Sequence, residues 1–254
     1  MKPIREEDRS RRSLPGFTSV GFALCIAVAF AAALSGFGSR WDFWHFRTGF
    51  TILTFASLGG IVSSLLCFAG LVISFRRNMW RSFILCCAGL ALGLTIFGIP
   101  FSWYLAARQL PKIHDITTDT ENPPEFAAVI LLRRNAPNPP EYGGPDVASK
   151  QREAYPDMKP LVLDVPAGKA FDKARTAARR MGWEIVSANK QDLRIEATDT
   201  TAWFGFKDDV VIRITPLDDS SRVDIRSVSR VGLGDVGTNA QRIRRYLKRL
   251  SKSE

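Results

Sequence analysis

Hydrophobic positions fall into two regimes along this chain, and the change comes at Arg108. Before it lie three runs without a charged side chain, residues 13–39, 48–75 and 82–107. A helix needs about 20 apolar residues to cross a ~30 Å hydrocarbon core, so each run predicts a membrane-spanning helix. One charge at mid-span costs ~2.5–3.5 kcal/mol on insertion and offsets about six good apolar residues. Three consecutive charge-free runs therefore argue against buried helices of a soluble protein. The first run also admits a cleaved signal peptide, with Ala31 and Ala33 as a small-x-small site. Its apolar part, 17–34, exceeds the usual ~7–15-residue signal core, which favours a retained anchor.

Beyond Arg108 the pattern shortens to the periods of a folded domain. Residues 161–165 predict a strand. Pro166 then opens a helix whose apolar positions are Ala170, Phe171, Ala174, Ala177, Ala178 and Met181, and Gly182 ends it. Residues 183–188 and 193–197 predict two more strands. The clearest alternation sets Val210, Ile212 and Ile214 on one face and Val211, Arg213 and Thr215 on the other. After a turn at 218–221, Val223 and Ile225 continue the apolar face, with Arg222, Asp224 and Arg226 opposite. That is a hairpin with one buried face and one expected to be solvated. A last helix from about Thr238 carries the stripe Ala240, Ile243, Leu247 and Leu250. The expected fold is α+β: three N-terminal transmembrane helices, then a β-α-β-β-β-β-α domain with helices on one face of an antiparallel sheet. Residues 1–12 form a tail, 13–107 the three-helix region, 108–160 a Pro-rich juxtamembrane segment and 161–254 the soluble domain. Prolines 123, 124, 137, 139 and 140 argue against regular ladders in that segment.

Charge sets the orientation. The tail holds Lys2, Arg5, Arg9, Arg11 and Arg12, and the second loop holds Arg76, Arg77 and Arg81. The first loop holds only Arg40 and Arg47 among aromatics. The positive-inside rule puts tail and second loop in the cytoplasm. Three crossings then place the C-terminal domain outside, in the periplasm of a bacterial inner membrane. Trp41, Trp44, Trp103 and Tyr104 would form the outer aromatic belt and Trp80 the inner one. The net charge is +10, of which +7 lies up to Arg108 beside the spans. That partition removes the main argument for nucleic-acid binding. Cys25, Cys67, Cys86 and Cys87 all lie in the apolar runs, so the soluble domain offers no disulfide or thiolate metal site. Small residues at Ala56, Gly60, Ser64, Gly89 and Gly93 favour close helix approach, within the chain or between copies.

Several segments of the domain resemble the bacterial family called domain of unknown function 1499. They are Ile113-His114-Asp115-Ile116-Thr117-Thr118-Asp119, Pro123-Pro124-x-Phe126, Tyr155-Pro156-Asp157, Met181-Gly182-Trp183, the run 201–210 and the run 222–230. The resemblance implies an envelope location and supplies no activity or catalytic residues.

Candidate sites follow from residue chemistry. Trp203, Phe204 and Phe206 beside Asp208 and Asp209 suit a ligand-gripping rim, but burial of large aromatics favours a strand with a buried Trp and a solvated turn. Arg213, Arg226 and Arg230, with Ser227 and Ser229, suit a phosphate or carboxylate, or else a solvated sheet face. Gly232-x-Gly234-x-x-Gly237 matches a dinucleotide fingerprint literally, but no second parallel strand or acidic ribose partner follows it. It reads as a flexible turn, with a simple anion at the helix start as the remaining option. His114, Asp115 and Asp119 match no metal spacing and read as an exposed linker. The basic residues of the last helix, from Arg242 to Lys252, suit lipid headgroups or plain solvation. No catalytic constellation, cofactor or metal is expected. The expected function is a multi-pass membrane protein whose outer domain binds or scaffolds another envelope component. The alternative is a module for a lipid or small amphiphile near Trp203, Phe204 and Phe206.

Overall fold

The computed structural model describes residues 16–252. The chain forms two compact units. One comprises Met1–Leu105 with Trp203–Gly205, the other Ala106–Ala202 with Phe206–Glu254. The basic residues of the N-terminal tail lie outside the described residues.

The first unit is built from α1 (Gly16–Arg40), α2 (Phe46–Arg76) and α3 (Trp80–Gln109). All three are long and apolar enough to cross a membrane. Large side chains such as Phe30, Phe55 and Leu65 point outward, and small ones point inward. This inversion of a soluble core is what lipid permits, because hydrocarbon gives apolar side chains no reason to hide. At the crossing of α2 and α3, a Cβ on Gly93 would lie 2.7 Å from the Gly60 carbonyl oxygen. Ala56, Gly60, Ser64, Gly89 and Gly93 are all buried among the protein's own helices. The small-residue face therefore serves packing within the chain. Cys25 donates to the Gly89 carbonyl at 3.2 Å, and α3 runs continuously through Pro100.

Trp203–Gly205 packs with these helices. The Trp203 indole N–H donates to the Ala33 carbonyl at 2.9 Å, and its ring lies 5.8 Å from that of Trp103. Phe204 is buried and meets the Phe50 ring at 4.8 Å. Gly205 has φ +71°, and a Cβ there would sit 3.0 Å from the Arg40 Cα, so both conformation and space require glycine.

The second unit holds β1 (Asp115–Thr117), a short 3-10 helix (Val129–Arg133), α4 (Gly144–Ala154), β2 (Leu161–Leu163), α5 (Ala167–Arg180), β3 (Glu184–Asn189), β4 (Arg194–Thr200), β5 (Lys207–Leu217), β6 (Ser220–Ser229) and α6 (Thr238–Ser251). From β2 to α6 this is the expected β-α-β-β-β-β-α order. The sheet runs β1-β6-β5-β4-β3, and every pairing is antiparallel. β2 lies on the same edge of β6 as β1, with Leu161 opposite Val223 and Asp115 opposite Val228. α5 and α6 cover one face. The alanines of α5 let that helix sit close, over a core of Phe171, Ile195, Ile212, Ile225, Ile243 and Tyr246. Tyr246 stacks on Trp183 at 5.2 Å and donates to the Ala174 carbonyl at 3.1 Å.

Two sequence expectations need correction. Regular structure begins before residue 160: β1 forms ahead of Pro123 and Pro124, and α4 carries Pro145 in its first turn, where a proline costs no hydrogen bond. Nor is the second sheet face solvated. Segment 118–142 lies across it, and Glu196, Thr198, Asp209, Val211, Asp224 and Arg226 are all buried. The alternation is real, but its polar half is sealed by irregular chain. β1 is sealed as well: the Gln151 carboxamide accepts from the Thr117 N–H at 2.9 Å and donates to the Thr117 carbonyl at 2.7 Å.

Candidate functional site

The covered face is organised by arginines. Arg226 makes a bidentate pair with Asp115, at 2.9 and 2.7 Å, and is 1% exposed. It also donates to the carbonyls of Pro124 and Pro140, at 3.2 and 2.8 Å. Its guanidinium lies over the rings of Phe126 and Tyr142, at 5.1 and 5.4 Å. One planar cation thus ties two proline-rich loops to the sheet. Arg133, from the 3-10 helix, reaches Asp209 at 2.7 Å and the Asn138 carbonyl at 3.0 Å. Arg230 holds the same carboxylate through two bonds of 2.8 Å. Glu196 accepts from the N–H groups of Ala127 and Val129, capping the 3-10 helix from the sheet below.

The neighbouring aspartates on β5 serve opposite faces, as strand pleating requires. Asp209 meets Arg133 and Arg230, while Asp208 meets Arg242 of α6 at 2.5 Å. Arg242 also reaches Asp199 at 2.7 Å and the Ser227 hydroxyl at 3.1 Å, and it donates to the Asn239 side chain. Asn239 in turn donates to the His114 carbonyl and to Ser229, each at 3.0 Å. Desolvation pushes the Asp115 carboxyl above its usual range, with Arg226 only partly offsetting it. Desolvation also raises Asp209, but hydrogen bonds from Arg230 and Thr198 and the nearby arginine charges outweigh it, so that carboxyl lies below its usual range.

The proposed site residues therefore divide. Trp203 and Phe204 sit among the helices of the first unit, while Phe206 is half-buried in the second, its N–H bonded to the Thr201 hydroxyl at 2.9 Å. Asp208, Asp209, Arg226 and Arg230 are buried or partly buried in the ion pairs above. Arg213 pairs with Asp119 at 3.0 Å and Asp224 at 3.1 Å, and Arg222 joins the same carboxylates. His114, Asp115 and Asp119 do not converge, and among the described residues no group of three His, Cys, Asp or Glu is placed to hold a metal. Far from being an exposed linker, Asp115 is 4% exposed within the sheet.

The Gly232-x-Gly234-x-x-Gly237 turn already has its anion. The Asp235 carboxylate accepts from the Gly237 N–H at 2.9 Å and the Asn239 N–H at 2.7 Å, at the start of α6. Those are the donors a phosphate would use. Burial pushes the Asp235 carboxyl up, the two backbone bonds oppose that, and Asp208 adds to it.

Open positive charge lies at the other end of α6. An open groove of about 590 Å³ is lined by Arg180 and Met181 from the end of α5 and by Arg245, Lys248, Arg249 and Lys252. No carboxylate among the described residues lines it. The basic stripe of α6 thus has three fates. Arg242 is buried, Arg244 pairs with Asp157 at 2.6 and 2.7 Å, and the remainder faces this groove. α6 starts beside Leu110, whose Cδ1 would lie 3.4 Å from a Cβ on Gly237. At 1.5 Å per residue the groove is about 20 Å from that tether.

Sequence reasoning missed Arg133, Glu196, Gln151 and Arg180. The Arg133-Arg134 pair closing the apolar run 126–132 was the available signal for Arg133. The others act across long separations and leave no local mark.

The model of a family described as protein of unknown function (DUF1499) matches residues 115–250, more than half of the chain. No curated protein matches at a significant level.

Proposed function

The chain belongs to the DUF1499 family of unknown function, and from that premise we propose a membrane-anchored domain that binds an anionic envelope component in its basic groove. The groove itself carries the reading: Arg180 from the end of α5 and Arg245, Lys248 and Lys252 from the end of α6 line it together, and Arg249 bridges the two helix ends by donating to the Arg180 carbonyl. The charges of the sheet, by contrast, are consumed internally, since Asp208, Asp209, Arg213, Arg226 and Arg230 each have a partner of opposite sign. Convergent cations suit phosphate-bearing or carboxylate-bearing polymers. The arginines of the second loop, Arg76, Arg77 and Arg81, support an extracytoplasmic domain and a bacterial inner-membrane location.

The test uses the full chain in zwitterionic nanodiscs and fluorescent inorganic polyphosphate, read by anisotropy. Arg245→Glu with Lys248→Glu is expected to weaken binding about tenfold or more, and added salt to weaken it further. Lys150→Glu, on α4, is expected to leave it unchanged. Equal affinity of the groove variant and the native chain would sink the reading. Orientation has a separate test: alkaline phosphatase fused after Leu250 is expected to be active, and inactivity would reverse the assigned sidedness.

A further inference from the structure

We propose that one end of the sheet domain inserts an apolar tip into the interfacial layer of the bilayer that holds the spanning helices. The tip is made of Ile130, Leu131 and Leu132 on the 3-10 helix and Leu233 in the glycine-rich turn between β6 and α6. These side chains are 44%, 64%, 53% and 80% exposed. With Val236 they account for five of the seven large hydrophobic residues exposed among the described residues after 110; Val162 and Leu217 are the others. Such clustering is what distinguishes an interaction surface from scattered surface leucines.

Two connections locate the tip. First, the pieces adjoin. Arg230 donates to the Leu132 carbonyl at 3.3 Å, and Asn138 donates to the Gly232 carbonyl at 2.9 Å. Second, this end is where the chain leaves the membrane-length helix α3. The Lys112 Cα would lie 3.4 Å from a Cβ on Gly234, and the Asp235 N–H donates to the Ile113 carbonyl at 3.2 Å. Lys112 is only three residues past Gln109, the last residue of α3. A leucine beside it in space is held within reach of the acyl–headgroup boundary. The occupant is therefore the protein's own bilayer. Arg108, Lys112 and Arg134 are exposed around this end, and basic residues suit the phosphate level of the interface.

The arrangement predicts a tethered domain with a fixed footing. An exposed apolar tip gains by burial, and its ~5–10 Å insertion depth is that of other interfacial elements. The tip does not depend on what the basic groove binds.

The test places a single added cysteine at Leu131, Leu233 or Leu217 of the full chain in nanodiscs, labelled with an environment-sensitive nitrobenzoxadiazole dye. The native cysteines lie within the spanning helices and supply an unsubstituted control. Leu217 closes β5 and is the exposed reference. Dyes at Leu131 and Leu233 are expected to emit at shorter wavelength than at Leu217. Their quenching by shallow spin-labelled lipid is expected to be about threefold stronger, and by aqueous iodide weaker. Iodide access equal to that at Leu217, at either tip position, would overturn the proposal. Unchanged thermal melting of each labelled chain shows that the readout comes from the native fold.

Discussion

Arg226→Met removes a guanidinium and keeps an unbranched apolar stem that fits between Phe126 and Tyr142. Asp115 then stays buried without its bidentate partner. Breaking a buried pair from one side costs ~3–5 kcal/mol. The carbonyls of Pro124 and Pro140 also lose a donor, at ~1–3 kcal/mol for each acceptor left buried and unpaired. These costs overlap, because the same loops are released together. A loss of ~3–5 kcal/mol is thus expected, a large part of a total stability of ~5–15 kcal/mol. Adding Asp115→Asn removes the orphan charge and is expected to restore ~1–3 kcal/mol. The pH dependence has a definite sign. Burial already holds the Asp115 carboxyl above its ordinary value. A raised folded pKa favours the folded state below the unfolded value of ~3.9, and that contribution fades as pH rises through the folded pKa. The Arg226→Met defect is therefore expected to be largest at neutral pH and to shrink in mild acid. Pulse proteolysis in urea, on the full chain in nanodiscs, measures the stability. Hydrogen exchange at Ala127 and Val129 reports whether the covering segment has lifted. A loss under 1 kcal/mol, or a double variant no better than the single, would refute the assignment of Arg226 as the clamp.

Asp209→Asn removes the shared partner of Arg133 and Arg230 and is expected to cost ~2–4 kcal/mol at neutral pH. Because the Asp209 carboxyl lies below its usual range, its contribution is present above ~3.9 and lost as pH falls through its folded value; the variant's stability is expected to fall less steeply in acid. Burial, with the charge of Asp115 adding to it, pushes the Tyr142 phenol up to about 12. Spectrophotometric titration is expected to show a phenolate step there that Tyr142→Phe removes. Gly93→Val places a side chain where a Cβ alone would lie 2.7 Å from the Gly60 carbonyl oxygen. It is expected to destabilise the contact of α2 with α3 by ~1–3 kcal/mol, seen as a lower melting temperature in detergent.

Legibility followed the range of the forces involved. The spans needed only composition, since absence of charge over 20 residues has one main physical cause. The hairpin of β5 and β6 needed only alternation, as Val210, Ile212 and Ile214 show. The polar half of that alternation was ambiguous. Arg222, Asp224 and Arg226 repeat at the same spacing whether water or partners meet them, and Arg226 finds Asp115 at a separation of 111 residues. Proline density misled for a related reason. It excludes ladders within 118–142, but arginine side chains can fix such chain through its carbonyls. The basic groove needed two helix ends brought together, and only the α6 half was visible as a stripe. Asp208-Asp209 looked like one polar anchor because adjacency in sequence conceals that a strand sends neighbours to opposite faces.

The Gln151 carboxamide has a consequence beyond the fold. It occupies the outer rim of β1 as a further strand would, answering both the donor and the acceptor of Thr117. β2, which continues that rim, is only three residues long. Helices long and apolar enough to cross a membrane would, once in one, bring copies of the chain together at high effective concentration, where an unsealed rim invites runaway polymerisation. The opposite rim, β3, is broken by an irregular register between Ile185 and Ser187 and bears Glu184 on its exposed surface. Neither rim is thereby a good template for a further strand.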